Sequence, residues 1–209
     1  LYAGADNRVI NPGTKNLAII GLAGPDSTVV DCEEQGRAFI FSGGQDSTTV
    51  VRGLTLTNGL SFNGGAVYCE GSSPSFEQCV IRDSRSIGIN TGGGGLYVHD
   101  GSPRIADCSF IDNVAGFGGG MASRGVSSPF LENVLFEGNE GESTGGLQCG
   151  AGSVTVVDCV FRDNSANDTG GGLGLLSGGP FLVFDSLFQG NTAGDGRGGG
   201  LITEGSATG

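Results

Sequence analysis

Glycine clusters recur along this chain, and each cluster precedes one apolar residue. These apolar residues are separated by 25 to 29 positions and comprise Val67, Leu96, Met121, Leu147, Leu173 and Leu201. A fixed period in this range is the signature of a repeat protein, in which each repeat is one supersecondary unit. One unit cannot bury its own apolar face, so successive units must stack. The repeat therefore predicts a solenoid.

Three further columns of residues recur between the glycine clusters. The first contains Val51, Phe76, Ile105, Leu131, Val156 and Val183. The second follows three residues later with Leu54, Cys79, Cys108, Val134, Cys159 and Ser186. The third follows two residues after that with Leu56, Ile81, Phe110, Phe136, Phe161 and Phe188. A spacing of two indicates a strand, because alternate side chains share a face, and a spacing of three indicates a corner. We expect Leu17, Ile20 and Leu22 to repeat this spacing in an earlier, longer unit.

The pattern predicts an all-β fold, a right-handed parallel β-helix of about seven rungs, each of roughly 26 residues arranged as strand, turn, strand, turn. The right hand follows because parallel crossover connections are right-handed in nearly all proteins. Little or no helix is expected, since no segment has a 3.6-residue period with caps.

The solenoid is expected to occupy residues 1–209 as a single domain. Residues 1–50 form an irregular first rung in this prediction, with an insertion at 28–31 and a strand at 39–41, and regular rungs follow over 51–209. The last rung begins at Leu201 and lacks its second strand. The C-terminal edge is therefore expected to be uncapped, in a longer chain or in an assembly.

Composition narrows the classes of protein to which the chain can belong. Glycine supplies 43 of 209 residues, about three times the average. Collagen is excluded by the 6 prolines and disorder by a hydrophobic content of 37%. The net charge of −12 disfavours nucleic acid as a partner. There is no apolar run of about 18 residues, so no membrane span is predicted.

A column of asparagines follows the third apolar column by three residues. Its members are Asn113, Asn139, Asn164 and Asn191, and earlier rungs have Gly59 and Ser84 there. Asparagine tolerates turn conformations, and stacked identical amides can bond from rung to rung. The column therefore predicts a structural ladder, and the alternative is a polar binding row.

These motifs resemble a known family. Gly64-Gly65-Ala66-Val67 and the four Phe-x-x-Asn copies that end at the ladder asparagines are similar to the repeat of the polymorphic outer-membrane proteins. That repeat lies within the pectate-lyase-like β-helix superfamily, and the resemblance covers about residues 51–209. It implies an extracellular or cell-surface location. The superfamily contains lyases, hydrolases, adhesins and stalks, so the resemblance leaves the function open.

Few residues have the chemistry that a polysaccharide-active enzyme needs. A lyase uses an Arg or Lys base, often with carboxylates that hold Ca²⁺, and a glycosidase uses two carboxylates. Lys15 is the sole lysine, no Asp-Asp pair occurs, and the sole histidine, His99, is expected to face solvent at a strand end. No catalytic, cofactor or metal residue is predicted, although Asp83 and Asp112 in adjacent rungs leave calcium as an alternative.

The six cysteines are relevant to whether the protein resides in an oxidising or a reducing compartment. Cys69 and Cys79 are ten residues apart, as are Cys149 and Cys159. This spacing suggests in-rung disulfides and an oxidising compartment, and the alternative is free thiols in the core. Asn167 begins an Asn-Asp-Thr sequon for glycosylation.

The sequence favours a non-catalytic extracellular structural or adhesive module, such as part of a surface stalk or filament. Its expected partners are copies of itself, other surface proteins or carbohydrate. A polysaccharide lyase or glycosidase is the alternative. A third interpretation is a protein-binding or immune-recognition scaffold, for which the candidate insertions are Ser84–Thr91 and Gly190–Arg197.

Overall fold

The computed structural model describes residues 1–194 and 196–203, which form a parallel β-solenoid with four sheets. We number the sheets in the order in which each coil of the chain visits them. Sheet 1 contains Ala18–Ile20, Val50–Arg52, Ser75–Glu77, Arg104–Ala106, Phe130–Glu132, Val154–Val157 and Phe181–Phe184. Sheet 2 contains Val29–Asp31, Thr55–Thr57, Val80–Arg82, Ser109–Ile111, Leu135–Glu137, Val160–Arg162 and Leu187–Gln189.

The other two sheets complete each coil. Sheet 3 contains the short strands Leu60–Ser61, Arg85–Ser86, Val114–Ala115, Glu140–Gly141, Ser165–Ala166 and Thr192–Ala193. Sheet 4 contains Phe39–Phe41, Val67–Glu70, Leu96–His99, Met121–Arg124, Leu147–Cys149, Leu173–Leu175 and Leu201–Thr203. The described residues include one helical element, the 3₁₀ turn Ala5–Asn7, and none of them forms a helix of the length and apolarity that a membrane span requires.

The register of the sheets follows the repeated columns of the sequence. Leu96 pairs with Val67 on one side and Met121 on the other, and Phe110 pairs in the same way with Ile81 and Phe136. All pairings between these strands are parallel, with one strand added to each sheet per coil. The predicted all-β solenoid of about seven coils is confirmed.

Each complete coil after the first contains four strands, whereas the sequence predicted two. The segment between sheets 1 and 2 bends at a single residue with a left-handed backbone, for example Gln78 with φ 51° and Asp107 with φ 54°. This residue interrupts the strand pairing for one position and divides the predicted strand in two. In addition, the segment after the asparagine column, which was predicted as a turn, contains the short strands of sheet 3.

The predicted alignment of the first coil is wrong. Ile19 and Val30 occupy the places in sheets 1 and 2 that the prediction assigned to Leu17 and Leu22. Leu22 is instead 95% exposed. Residues 21–28 form an enlarged corner, closed by main-chain hydrogen bonds of 3.0 to 3.2 Å. The extra residues therefore precede the sheet 2 strand rather than forming part of it.

The inward columns fill the interior of the solenoid. Phe110, Phe136, Phe161 and Phe188 stack face to face, with centroids 4.9, 4.9 and 4.8 Å apart. This spacing equals the distance between neighbouring strands, because the column contributes one ring per coil. The first three rings are fully buried, and burial of each contributes roughly 1.5–3 kcal/mol.

The glycine clusters lie where the chain enters sheet 4 and successive coils approach most closely. A Cβ on Gly146 would lie 2.3 Å from the Gly172 carbonyl oxygen, and a Cβ on Gly119 would lie 2.3 Å from that of Glu140. A side chain at these positions would collide with the backbone of the next coil. The cluster therefore recurs once per coil for a steric reason.

Candidate functional site

A groove of about 700 Å³ lies on the outer face of sheet 4. Alternate residues of a strand point to opposite faces, so the buried Leu96 and Val98 leave Tyr97 on the outside. The turns that join sheet 3 to sheet 4 form the walls. We call this the sheet 4 groove. The residues whose side chains can contact a ligand there are Tyr97, Phe117, Arg124, Glu142, Gln148 and Asp168.

Aromatic side chains form one part of the groove and its flank. Tyr68 and Tyr97 are aligned in neighbouring strands, and their rings stack with centroids 5.9 Å apart and an angle of 2° between planes. Phe117 lies 6.4 Å from Tyr97 and packs with it in a small cluster outside the main core. Burial, with a smaller contribution from the nearby Glu70 carboxylate, raises the pKa of Tyr68 to about 12. The phenol is therefore a neutral hydrogen-bond donor at physiological pH.

Two arginines lie over these rings. The Arg37 guanidinium is 5.0 Å from the centroid of Tyr68, and its nitrogens donate to the carbonyl oxygens of Asn63 and Phe62 at 2.8 and 2.7 Å. The Arg124 guanidinium is 4.0 Å from the centroid of Phe117. Its Nε is buried without a hydrogen-bond partner. Arg124 is thus held by stacking while its Nε–H remains unpaired.

Gln148 supplies a complementary acceptor. Its side chain is 2% exposed, and Oε1 has no hydrogen-bond partner although it lines the groove. An unpaired buried polar atom costs about 1–3 kcal/mol. A ligand that displaced the side chains covering this oxygen and donated a hydrogen bond to it would recover that energy. The unpaired donor of Arg124 and the unpaired acceptor of Gln148 therefore favour a ligand with both donor and acceptor groups.

Two carboxylates stand in the wall of the groove. Glu142 and Asp168 belong to adjacent coils, and the Asp168 N–H donates to the Glu142 carbonyl oxygen at 2.8 Å. Both side chains are exposed and line the groove together with Arg124. Paired carboxylates and a cation are the groups that acid–base chemistry on a glycosidic bond would use.

The asparagine column forms a ladder inside the turn between sheets 2 and 3. Asn113 Nδ2 donates to Asn139 Oδ1 at 3.0 Å, and the next two steps, to Asn164 and Asn191, are both 2.9 Å. Each acceptor oxygen also receives the main-chain N–H of the preceding ladder residue at 3.0 to 3.1 Å. The first three side chains are completely buried. The ladder therefore joins coils and is inaccessible to a ligand.

The structure places the cysteines differently from the sequence prediction. Cys69 and Cys149 lie in sheet 4, whereas Cys79 and Cys159 lie at the corner between sheets 1 and 2. In this structure all six cysteines are buried and none is bonded to another. The two corner thiols instead donate to the carbonyl oxygens two residues before them at 3.3 and 3.2 Å. Members of each predicted pair thus pack in separate columns of the core.

The other candidates lie outside the groove. His99 Nδ1 is 3.3 Å from Asp100 Oδ2, and both side chains are partly exposed. Asp83 pairs with Arg82 at 2.7 Å, while Asp112 lies against the next coil at Gly138. Within the described residues, no three His, Cys, Asp or Glu side chains converge on a point that could hold a metal.

Asn167, the candidate glycosylation residue, is exposed at the edge of the groove, directly before Asp168. The turn 84–91 contributes Asn90 to the groove. The other predicted insertion, 190–197, includes residue 195, which lies outside the described residues, as do residues 204–209 beyond the last strand of sheet 4.

Comparison with known proteins gives one family match. A family model described as right handed beta helix region matches residues 37–208. No match was found among curated proteins or among solved structures. The match begins just before the sheet 4 strand of the first coil and agrees with the parallel stacking of the sheets.

Proposed function

The chain belongs to the right-handed β-helix family, and on this premise we propose that it is a non-catalytic extracellular adhesive module that binds a carbohydrate chain in the sheet 4 groove. The observation that carries this proposal is the pairing of aromatic rings with buried, unpartnered polar atoms. The stacked rings of Tyr68 and Tyr97 supply an aromatic edge, although Tyr97 is only 7% exposed, and Arg124 and Gln148 supply one unpaired donor and one unpaired acceptor. A sugar presents both apolar C–H faces and hydroxyl groups that donate and accept.

The shape of the groove suits a polymer better than a compact ligand. Tyr68, Tyr97, Ala122 and Gln148 occupy the same outward position in four successive coils. Successive coils are about 4.8 Å apart, so these contacts follow the long axis of the solenoid. A chain of sugars lying along that axis would meet a tyrosine pair at one end and the glutamine at the other.

The repeat motifs support a place on the cell surface. Gly64-Gly65-Ala66-Val67 and the Phe-x-x-Asn copies suit a surface protein of the polymorphic outer-membrane type. Seven strands in each of sheets 1, 2 and 4 give a rigid rod about 30 Å long. Such a rod, as part of a stalk or filament, would hold the groove at a fixed distance from its attachment, in contact with other surface proteins or with copies of itself.

Binding to a glycan array, followed by calorimetry on the best oligosaccharide, tests the proposal. We expect Tyr97→Ala and Gln148→Leu each to weaken binding about tenfold, since each removes one stacking or hydrogen-bonding contact. Tyr2→Ala and Gln189→Leu are the matched controls, because Tyr2 and Gln189 are exposed and lie outside the groove. Chelation with EDTA should leave the affinity unchanged. Absence of any glycan ligand, or equal affinity in all four variants, would contradict the proposal.

A second candidate function is cleavage of a polysaccharide as a glycosidase or lyase. Glu142, Asp168 and Arg124 in one groove are the observation that favours it. The test is release of reducing ends or unsaturated products from a panel of polysaccharides, with Glu142→Gln and Asp168→Asn as variants. Turnover that both variants abolish would replace the adhesive assignment with an enzymatic one. Binding without turnover would support adhesion.

A further inference from the structure

We propose that Cys79 and Cys108 form a disulfide that joins two adjacent coils at the corner between sheets 1 and 2. This pairing differs from the in-rung pairs that the sequence spacing suggests. It is independent of the proposed carbohydrate binding, because the corner lies on another side of the solenoid from sheet 4.

The two cysteines occupy equivalent places in neighbouring coils. The strands that follow them are in register, with Val80 paired to Ser109, and the strands that precede them are in register as well. The residue before each cysteine has the same left-handed backbone, with φ of 51° and 54°. Two superposed corners place the Cα atoms at about the strand spacing of 4.8 Å, and disulfides span Cα distances of about 4.4–6.8 Å.

The Cys108 thiol already contacts the backbone of Cys79, while the Cys79 thiol donates to the carbonyl oxygens of Glu77 and Val51. Cys108 Sγ accepts a hydrogen bond from the Cys79 main-chain N–H at 3.4 Å, so this sulfur leans towards the Cys79 coil. The hydrogen bond from the Cys108 thiol lowers the pKa of Cys79, and the same interaction, with burial, raises the pKa of Cys108. Next in the column is Val134. Cys79 and Cys108 are therefore the adjacent pair of cysteines in this column, and a rotation of the Cys79 side chain towards the Cys108 coil would bring the two sulfurs together.

The corner offers a route for oxidation. Cys108 lines a surface depression of about 220 Å³, although it is itself 2% exposed. Cys108, which lines the depression, loses its proton and attacks one sulfur of a small-molecule disulfide such as oxidised glutathione, displacing one thiolate. Cys79 then loses its proton, attacks the Cys108 sulfur and releases the second thiolate. Two protein thiols are oxidised to one disulfide, and the small-molecule disulfide is reduced to two thiols.

Refolding of the reduced chain in a glutathione redox buffer, followed by peptide mapping, tests this pairing. After blocking of free thiols, trypsin and a glutamate-specific protease release Cys79 within residues 78–82, Cys108 within 105–124 and Cys69 in a separate peptide that ends at Glu70. We expect the first two peptides to be linked and the other four cysteines to carry the blocking group. Linkage of Cys79 to Cys69, or six blocked cysteines, would overturn the proposal.

Stability measurements give an independent readout. The oxidised chain should melt several degrees above the reduced chain. The difference should disappear in Cys108→Ser and persist in Cys149→Ser, which removes a thiol of a different column. A difference that persists in Cys108→Ser would refute the assignment. If Cys108→Ser does not fold, the peptide map of the unaltered chain decides alone.

Discussion

Replacement of Asn139 by alanine should weaken the solenoid more than any exposed amide substitution. Asn139 is completely buried. Its Nδ2 donates to the Phe110 carbonyl oxygen and to Asn164 Oδ1, each at 2.9 Å. Its Oδ1 accepts the main-chain and side-chain N–H groups of Asn113 at 3.1 and 3.0 Å. Alanine removes all four hydrogen bonds and leaves their partners buried in the neighbouring coils.

The expected loss follows from this count. At about 1 kcal/mol net for each hydrogen bond, the free energy of unfolding should fall by roughly 4 kcal/mol. For a chain of this size, that loss lowers the Tm by roughly 8–16 °C. Urea denaturation monitored by circular dichroism measures the free energy of unfolding, and a thermal melt monitored in the same way measures the Tm. Gln189→Ala is the matched control, since its amide is exposed and outside the ladder, and it should change stability by less than about 0.5 kcal/mol. A loss below 1 kcal/mol for Asn139→Ala would refute the idea that the ladder joins the coils.

Three further perturbations test the packing of the coils. Phe136→Ala removes the ring between two others of the phenylalanine stack and should cost about 3–5 kcal/mol in urea denaturation; a cost near zero would contradict the stack. Gly146→Ala should prevent or severely weaken folding because its Cβ would lie 2.3 Å from a carbonyl oxygen. Gly150→Ala is the control and should be tolerated, because the atom nearest to its Cβ would be 3.5 Å away. Equal stability of the two variants in thermal melts would count against the steric argument. Burial raises the pKa of the Cys149 thiol from about 9 to about 12, so this thiol loses its proton at lower pH in the unfolded state than in the folded state. Its contribution to stability should therefore be constant below pH 9 and fall from pH 9 towards 12, and the fall should be less steep in Cys149→Ala. A flat profile would show that this thiol ionises equally in both states.

The repeated part of the fold was predictable because a solenoid places the same demand on the same position in every coil. Phe110 and Phe136 recur at one inward position, and Asn113 and Asn139 recur at one turn. Their period in the sequence therefore gave both the strand register and the stacking. The first coil departed from the pattern because an enlarged corner, residues 21–28, lies between its first two strands.

The groove was not predictable from the repeat, since it is built where the coils differ. Tyr97, Ala122 and Gln148 share one outward position and have nothing chemical in common. The one signal available was the recurrence of tyrosine at 68 and 97, each directly after the apolar residue that ends a glycine cluster. The contributions of Glu142 and the other wall residues depend on the paths of separate turns, which the repeat does not specify.

The cysteines likewise show that sequence spacing alone does not identify which residues are in contact. Cys69 and Cys79 are ten residues apart, yet Cys69 lies in sheet 4 and Cys79 lies at the corner between sheets 1 and 2. Cys79 and Cys108 are 29 residues apart, yet one lies against the other in adjacent coils. In a solenoid, neighbours in space are separated by one full repeat, so sequence proximity is a poor guide to contact.

The central claim, that the sheet 4 groove binds a carbohydrate chain, is tested most directly by a crystal structure with the best oligosaccharide from the binding screen. We predict sugar rings along the axis of the solenoid, with one beside Tyr68 and Tyr97 and hydroxyl groups bonded to Gln148 Oε1 and Arg124 Nε. Density for the ligand on any other face, with those two atoms still unpartnered, would contradict the claim.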